Sequence, residues 1–223
     1  MTMHKTEYMA PSEIEKRSFE IITAELSEKG PVVINGSEPV GSVADSSAVL
    51  DVIKRCIHTT ADFDYAKTMY FSEGATGCFC RLVRDGATIV TDTNMALSGI
   101  SKKRLEKYGC NVICYMADDD VAEVALERGI TRAQVSMERA MKLPGPVIFV
   151  IGNAPTALMA IKDRYDSGKY TPAFVIGVPV GFVNVEAAKE LIIHSNIPHI
   201  VNSGRKGGSN VAAAIVNALT GKM

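Results

Sequence analysis

The histidines are the side chains of this sequence best suited to move a proton near neutral pH, and there are four of them: His4, His58, His194 and His199. His58 has the most polar surroundings, since Lys54 and Arg55 precede it and Thr59-Thr60-Ala61-Asp62-Phe63-Asp64 follows it. A histidine beside cations, hydroxyls and carboxylates could act as a general acid toward an anionic small molecule. The residue types alone equally allow a structural role for His58, so both interpretations stay open.

The other three histidines are weaker candidates. His194 falls in the last turn of a predicted helix, where a cation suits the helix dipole, and His199 begins a predicted strand. His4 lies in a polar amino-terminal segment. No histidine has the set of spaced partners that is typical of a metal site, so no bound metal is predicted.

The turn from Gly204 to Ser209 is a candidate anion site. It lies between a predicted strand and a predicted helix, where glycines leave backbone N–H groups free and the helix dipole favours negative charge. Arg205 adds a planar guanidinium that suits a carboxylate, and Gly207 and Gly208 follow it closely. The Gly-Lys-Ser/Thr end of a Walker A loop is absent. A capped turn with solvated charges is the alternative interpretation.

Polar residues also follow two other predicted strands, and ligands of α/β sheets bind at such strand ends. The segment Gly152-Asn153-Ala154-Pro155-Thr156 has the form of a helix start with Asn153 as the N-cap. Asn153 or Thr156 could contact a ligand in addition. Asp92 directly follows another strand, and it either holds a ligand donor or caps the next helix together with Asn94. The sequence does not separate these two roles.

Several common catalytic and cofactor motifs are absent. There is no Gly-x-Gly-x-x-Gly, which argues against a dinucleotide, and no Gly-x-Ser-x-Gly nucleophile elbow. The acidic run Asp118-Asp119-Asp120 suits the start of a helix and lacks the spaced ligands of a calcium loop. The five cysteines are odd in number and form no Cys-x-x-Cys pair. This pattern favours free, buried thiols in a reducing compartment such as the cytoplasm.

The composition is that of an ordinary globular protein. Of the 223 residues, 47% are hydrophobic and 22% are charged, and the formal net charge is -1. A net charge so close to zero supplies no general attraction for nucleic acid. No apolar run reaches the roughly 20 residues of a membrane span, and the first ten residues lack the apolar core of a signal peptide. A cytoplasmic protein that binds neither nucleic acid nor membranes is therefore predicted.

Alternating strands and helices predict the fold from residue 87 onward. Short runs rich in Val and Ile are typical of strands buried on both faces of a parallel sheet, and they cover 87–91, 111–116, 146–151, 173–178 and 199–201. The helical segments of this half lie near 101–108, 119–142, 154–167, 185–195 and 209–219. In the first half, the predicted elements are a helix over 11–29, a loop over 30–47 that could include a short strand at 32–34, a helix that Ser46 or Ser47 caps, and a helix over 74–84.

This alternation predicts one domain over residues 1–223, of the α/β class. The expected architecture is a doubly wound, mostly parallel sheet of about five strands with helices on both faces.

Six ordered segments, spread over nearly the whole chain, resemble the precorrin-8X methylmutase family, including its cobalt-precorrin-8 form. They are Ile14-Glu15-Lys16-Arg17-Ser18-Phe19, Arg55-Cys56-Ile57-His58-Thr59-Thr60-Ala61-Asp62-Phe63-Asp64, Thr91-Asp92-Thr93-Asn94-Met95, Gly152-Asn153-Ala154-Pro155-Thr156-Ala157-Leu158, Gly177-Val178-Pro179-Val180-Gly181-Phe182-Val183 and Arg205-Lys206-Gly207-Gly208-Ser209-Asn210. Six blocks in this order are far more specific than one short motif. The stretch 36–43 fits least well, and no site is predicted there.

The resemblance implies an isomerase of cobalamin biosynthesis. In that reaction a methyl group migrates from C-11 to C-12 of the corrinoid ring, giving hydrogenobyrinate, or cobyrinate when cobalt is present. Neither a cofactor nor an external methyl donor is implied. The family's histidine corresponds to His58, as a proton or hydrogen-bond donor to the ring. The resemblance also implies a homodimer with the substrate site near the subunit interface.

The substrate implied is a large, flat, tetrapyrrole-derived ring edged with carboxylates. Such a ligand needs an apolar slot with cationic and polar groups around it, because charge-assisted hydrogen bonds hold carboxylates best. The expected substrate contacts are Arg17, Ser18, Thr91, Asp92, Asn94, Arg132, Asn153, Thr156, Arg205, Gly207, Gly208 and Ser209.

Two other functions share parts of this pattern. A non-catalytic corrinoid carrier would need the same binding residues. A methyltransferase that uses S-adenosylmethionine suits the pathway, but the chain lacks a glycine-rich loop followed by an acidic ribose partner. Whether the natural substrate carries cobalt stays open, and the segment Thr59-Thr60-Ala61-Asp62-Phe63-Asp64 leans toward the cobalt form by resemblance.

Overall fold

A computed structural model describes residues 10–43, 45–221 and 223, so His4 and the polar segment around it lie outside the described residues. The helices are α1 (Pro11–Lys29), α2 (Ser46–Thr60), α3 (Tyr65–Thr68), α4 (Ala75–Arg84), α5 (Asn94–Gly99), α6 (Lys102–Glu106), α7 (Asp119–Arg128), α8 (Arg132–Ala140), α9 (Pro155–Asp166), α10 (Val185–Ile193) and α11 (Ser209–Thr220). The strands are β1 (Val33–Ile34), β2 (Glu38–Pro39), β3 (Met69–Phe71), β4 (Thr88–Thr91), β5 (Val112–Ile113), β6 (Val147–Ile151), β7 (Phe174–Gly177) and β8 (His199–Asn202).

The central sheet has six strands in the order β3-β8-β7-β6-β4-β5. Neighbouring strands pair in parallel, except that β3 runs antiparallel to β8. All five residues of β6 are buried, as expected for a strand covered on both faces, and this explains the unbroken apolar runs of the sequence. The predicted α/β class and the mostly parallel sheet are confirmed.

The sequence does not predict the sixth strand, β3. It has three residues, and its central residue Tyr70 lies opposite Val201 of β8 at the edge of the sheet. A strand of three residues contains too short an apolar run for the sequence pattern to distinguish it from a loop. The predicted number of about five strands is therefore one too low.

Helices cover both faces of the sheet, as predicted. In β6, Ile148 and Val150 belong to one core cluster together with α2, α4 and α11, whereas Phe149 and Ile151 belong to a second cluster with α8 and α9. This division follows from the alternation of side chains along a strand. On the first face, α2 and α11 pack against each other, and α1 packs on α2. This arrangement places the end of α2 beside α11.

Three local features differ from the sequence prediction. The helix expected over 119–142 is divided into α7 and α8, because Gly129 adopts a left-handed conformation with φ 61° and Thr131 begins α8 with a capping box. The segment 30–47 contains two short strands, the antiparallel pair β1–β2, where the sequence allows one short strand in a loop. The N-cap position of α2 is occupied by Asp45 rather than by a serine, and its side chain makes no capping bond.

Candidate active site

His58 lies in the last turn of α2, on the side of the helix that faces away from the core. Val49, Ile53 and Ile57 form the buried face of α2, so His58, next in the chain, is exposed. Its ring stacks on the ring of Phe19 from α1, with centroids 5.2 Å apart and planes at 25°. This stacking against an apolar ring fixes the orientation of the imidazole while leaving its edge open to solvent.

His58 lines a cleft between the helices α1, α2, α5, α6 and α11. Two adjoining pockets, of about 440 and 410 Å³, make up this cleft. Both pockets are lined by Glu15 of α1, Arg55 of α2, Arg104 at α6 and Asn217 of α11. The remaining lining residues are Lys16, Phe19, Asp51, His58, Thr59, Gly99, Ser101, Asn210, Ala213, Ala214, Ala218 and Gly221. The cleft therefore combines an apolar wall with several polar and cationic groups, as a carboxylate-edged ring requires.

Two arginines lie in the cleft, together with Lys16 and the carboxylates of Glu15 and Asp51. Arg55 donates to Glu15, with 2.6 Å from Nη1 to Oε1, and its guanidinium lies 4.6 Å from the centroid of the Phe19 ring. The hydrogen bond and the charge of Arg55 lower the pKa of the Glu15 carboxyl, so Glu15 is anionic at neutral pH. Arg104 donates from Nη1 to the backbone carbonyl of Asn217, over 3.1 Å. The planar donors of both arginines are suited to carboxylates.

Asp92 has a structural role at the ends of the parallel strands. Its side chain is fully buried. It accepts three backbone N–H bonds, from Gly152 at 2.9 Å, Asn153 at 2.8 Å and Ala154 at 2.6 Å. Burial raises the pKa of the Asp92 carboxyl, and the three backbone donors act in the opposite direction. The donors precede Pro155, the first residue of α9, so Asp92 holds the turn between β6 and α9 and does not cap the first turn of a helix.

Two further capping predictions need correction. Ala154, not Asn153, occupies the N-cap position of α9. The methyl side chain of alanine cannot accept a hydrogen bond, so this position has no side-chain cap. The carboxylate of Asp92, 60 residues earlier in the chain, accepts from the turn that leads into α9, a contact that sequence proximity cannot reveal. At α5, the side chain of Thr93 accepts from Ala96 N–H and is the cap, so neither Asp92 nor Asn94 has that function.

The glycines of the turn after β8 are required for close backbone contact. A Cβ at Gly207 would lie 2.1 Å from the carbonyl oxygen of Val178, and Gly208 N–H donates to the same oxygen over 2.9 Å. A Cβ at Gly152 would similarly approach Ser209 Cα to 2.7 Å. These contacts hold the turns after β6, β7 and β8 together, so part of the predicted anion-binding backbone is already used inside the protein.

Two other predicted substrate contacts, Arg205 and Ser209, follow β8 but have different surroundings. Arg205 is exposed, and its Nε lies 2.7 Å from Glu186 Oε1. Ser209 Oγ and Thr93 Oγ1 are 2.7 Å apart, at the start of the helix whose next residue, Asn210, lines the cleft. Ser209 thus connects the strand ends to the His58 cleft.

Five more predicted contacts lie outside the lining of the cleft. On α1, Arg17 is exposed and pairs with Glu20, and Ser18 donates to its own helix at Ile14. Thr91 is buried and donates to Thr93. The last two predicted contacts lie elsewhere: Thr156 bonds Thr131, and Arg132 lines a separate depression beside α7.

The sequence-level selection misses most of the cleft. Glu15, Arg104, Asn210 and Asn217 come from three helices that the primary structure does not bring together. Glu15, Phe19, Arg55 and Asn210 fall within the six segments quoted above, so a closer study of those segments could have identified them. Arg104 and Asn217 lie outside every segment and carry no such pattern.

Among the described residues, His194 and His199 line a separate pocket of about 910 Å³ beside β3, away from His58. His194 pairs with Glu190 over 3.0 Å at the end of α10, and His199 is buried with its Nδ1 2.8 Å from the carbonyl of Ile197. Burial lowers the pKa of His199. All five cysteines are free, and burial raises the pKa of the Cys56 thiol to about 12. Residues 10–43, 45–221 and 223 include no metal-ligating cluster and no helix that could cross a membrane.

Comparisons with known proteins agree with this picture. The family model for precorrin-8X methylmutase matches residues 13–221. Cobalt-precorrin-8 methylmutase of Salmonella typhimurium is 42% identical over 210 residues, which is 94% of each chain, and that of Priestia megaterium is 38% identical, covering 94% of this chain and 87% of its own. The crystal structure of a precorrin-8X methylmutase from Thermus thermophilus has a TM-score of 0.76 at 34% identity and covers 93% of this chain and 96% of its own. The chain belongs to the precorrin-8X methylmutase family, whose members are isomerases of cobalamin biosynthesis.

Proposed function

We propose that this protein moves a methyl group from C-11 to C-12 of cobalt-precorrin-8, with His58 as the proton or hydrogen-bond donor to the ring. The observation that carries the proposal is the position of His58 in a cleft with two arginines, in a chain of this family. The bond from the methyl group to C-11 breaks while its bond to C-12 forms within one molecule. The reaction therefore needs no external methyl donor.

A donor at His58 eases this migration by drawing electron density from the conjugated ring. The carbon that receives the methyl group becomes more electron-poor when a ring atom accepts a proton or a hydrogen bond. General-acid assistance of this kind is typically worth roughly 10²–10⁴-fold in rate. The exposed edge of the imidazole, stacked on Phe19, is available to a ring that enters the cleft. Holding that ring in one orientation lowers the barrier further.

The groups around the cleft suit the carboxylates at the rim of the substrate. Arg55 and Arg104 lie within it, and Lys16 lies at its outer part. We propose that these cations hold carboxylates, since charge-assisted hydrogen bonds to carboxylates are the stronger ones. Two sets among the residues proposed from the sequence (Arg17, Ser18, Thr91, Asp92, Asn94, Arg132, Asn153, Thr156, Arg205, Gly207, Gly208 and Ser209) have a place in this proposal. Ser209 and the glycines position the start of α11, and the exposed arginines remain candidates for longer-range contact.

Cobalt in the substrate is favoured by the relatives. Both curated relatives described above carry the cobalt-precorrin-8 name. The test supplies cobalt-precorrin-8 and the metal-free ring side by side and follows the visible spectrum of each. We expect the cobalt form to be converted with the higher kcat/KM. Faster conversion of the metal-free ring would contradict this choice of substrate.

The same assay distinguishes an enzyme from a non-catalytic corrinoid carrier. With protein at a small fraction of the substrate concentration, an enzyme changes the spectrum of all the substrate, whereas a carrier changes it only in proportion to the protein. We expect complete conversion. Transfer of label from S-adenosylmethionine to the product would instead indicate a methyltransferase and contradict the isomerisation.

We propose that the protein is a homodimer that associates through the exposed residues after β7. Phe182 is 82% exposed and Val183 is 76% exposed, beside Val180, and adjacent exposed apolar side chains are typical of association surfaces. Phe182→Asp is expected to convert the dimer into a monomer in sedimentation velocity. Leu126→Asp, at an apolar residue on α7 that is 85% exposed, is the matched control and should stay dimeric. A monomeric unmutated protein would contradict the proposal.

A cytoplasmic location is also proposed, and the cysteines support it. All five are free, and free thiols persist in reducing compartments.

A further inference from the structure

The side chain of Lys189 is buried without any exposed surface, although it is a lysine. It extends from α10 beneath the turn that follows β8. Its Nζ lies 2.7 Å from the carbonyl oxygen of Gly204, 2.7 Å from that of Lys206 and 3.3 Å from Asn202 Oδ1. Three acceptors match the three donors of an ammonium group. Burial lowers the pKa of Lys189 to about 7, and its charged form is tolerated in the interior only when it is bonded in this way.

The backbone of this turn is fixed from inside the protein. Lys189 donates to the carbonyl oxygens of Gly204 and Lys206. The carbonyl oxygen of Arg205, the residue between these two, accepts a hydrogen bond from Gly181 N–H over 3.1 Å. Three successive carbonyl groups are therefore bonded to interior donors. Their orientation determines where the following residues, Gly207 and Gly208, make their close contacts with Val178.

The side chain of Lys206 connects the same turn to the segment that follows His58. Its Nζ lies 2.5 Å from Oδ2 of Asp62 and 2.5 Å from Oδ2 of Asp64. Burial opposes ionisation of Asp62, but the hydrogen bond from Lys206 and the Asp64 backbone N–H outweigh it and lower the pKa of that carboxyl. Asp62 N–H in turn donates to Thr60, the last residue of α2. The turn and the end of the helix that carries His58 are thus joined.

We propose that Lys189 is a positioning residue for the methyl shift: it holds the turn 204–206 so that α11 and the segment after His58 keep their place around the cleft. Lys189 touches neither the cleft nor His58 and acts only through this turn. Hydrophobic packing could not replace it, because an apolar side chain of similar length would fill the space but leave two carbonyl oxygens without donors. The catalytic part of the proposal rests on the proposed function, whereas the structural part does not.

The first measurement is hydrogen exchange of the free protein, which requires no substrate. Lys189→Met should raise exchange of the amides in 203–208 and 61–65 about tenfold or more, as expected when two bonds to a charged group are lost. Lys162→Met is the matched control, since Lys162 is a mostly covered lysine on α9 that pairs with Asp166. It should leave exchange in both segments unchanged.

The second measurement separates positioning from loss of folded protein. Partial unfolding lowers the amount of active enzyme and so lowers the apparent kcat without changing KM. A displaced turn should instead raise KM for cobalt-precorrin-8 and also lower kcat, by about tenfold in kcat/KM. Lys189→Arg, which keeps several donors, should recover part of the protection of 203–208 and part of the KM.

The outcomes are distinguishable from a failure of the proposed function. Unchanged exchange of 203–208 in Lys189→Met would overturn the inference, whatever happens to turnover. Raised exchange with an unchanged KM would overturn the catalytic part. An unmutated protein that does not shift the methyl group would contradict the proposed function, and the exchange result would still decide whether Lys189 holds the turn.

Discussion

His58→Ala is expected to lower kcat for the methyl shift by roughly 10²–10⁴-fold, the usual range for loss of a general acid. Binding of the substrate should change little, because Arg55 and Arg104 remain in the cleft. The variant should fold normally, since His58 is exposed and its main contact is the stacking on Phe19. Single-turnover kinetics measure the chemical step, and a spectral titration with the product measures binding.

His194→Ala is the matched control for this experiment. His194 is also an exposed histidine at the end of a helix, as the C-cap residue of α10, and it pairs with Glu190 away from the cleft. Its replacement should leave kcat and KM unchanged. Full retention of the methyl-shift rate in His58→Ala would rule out the donor role. Equal losses in both variants would point to a general effect of removing a surface histidine.

Asp92→Ala is expected to lower the free energy of unfolding by about 1–3 kcal/mol. The change leaves the N–H groups of Gly152, Asn153 and Ala154 without their acceptor. An unsatisfied donor has this cost where it is buried, as at Gly152, whereas exposed Asn153 can bond to water. For a chain of this size, the loss corresponds to a fall of roughly 2–12 °C in Tm. Urea denaturation and thermal melting measure the effect.

Asp120→Ala provides the control for a lost carboxylate. Asp120 is an exposed residue near the start of α7 that pairs with Arg139 over 2.8 Å, and an exposed ion pair is worth about 0–1 kcal/mol. Asp92→Asn should be intermediate, because one acceptor oxygen remains. Asp92→Ala with the stability of the unmutated protein would show that the three N–H groups find other partners, and our account of the strand ends would then be wrong.

Local patterns predict much of this fold. Helix α1 was expected over 11–29 and has those bounds, because its apolar residues recur at helical spacing and Gly30-Pro31 ends it. The parallel strands were recognisable since burial on both faces demands consecutive apolar residues. The short edge strand β3 was missed, because its pairing with β8 is determined by tertiary structure and not by its own three residues.

The site was only partly predictable, for a related reason. His58 could be selected from its neighbours in the chain and from the resemblance. The groups that face it, such as Arg104 and Asn217, come from helices distant in sequence, and only the packing of α2 on α11 reveals them. Asp92 shows the reverse case, since a carboxylate that looked available for a ligand is already used by backbone donors 60 residues away.

The position of β3 in the sheet has a consequence for synthesis of the chain. Tyr70 of β3 pairs with Val201 of β8, about 130 residues later, and ribosomes add about 5–20 residues per second. The edge strand therefore waits for roughly ten seconds before its partner emerges. Over the same interval α2, with His58, lacks α11. During this time the apolar surface of the newly made amino-terminal half is uncovered and can aggregate. We therefore expect chaperones to bind mainly to this half of the chain.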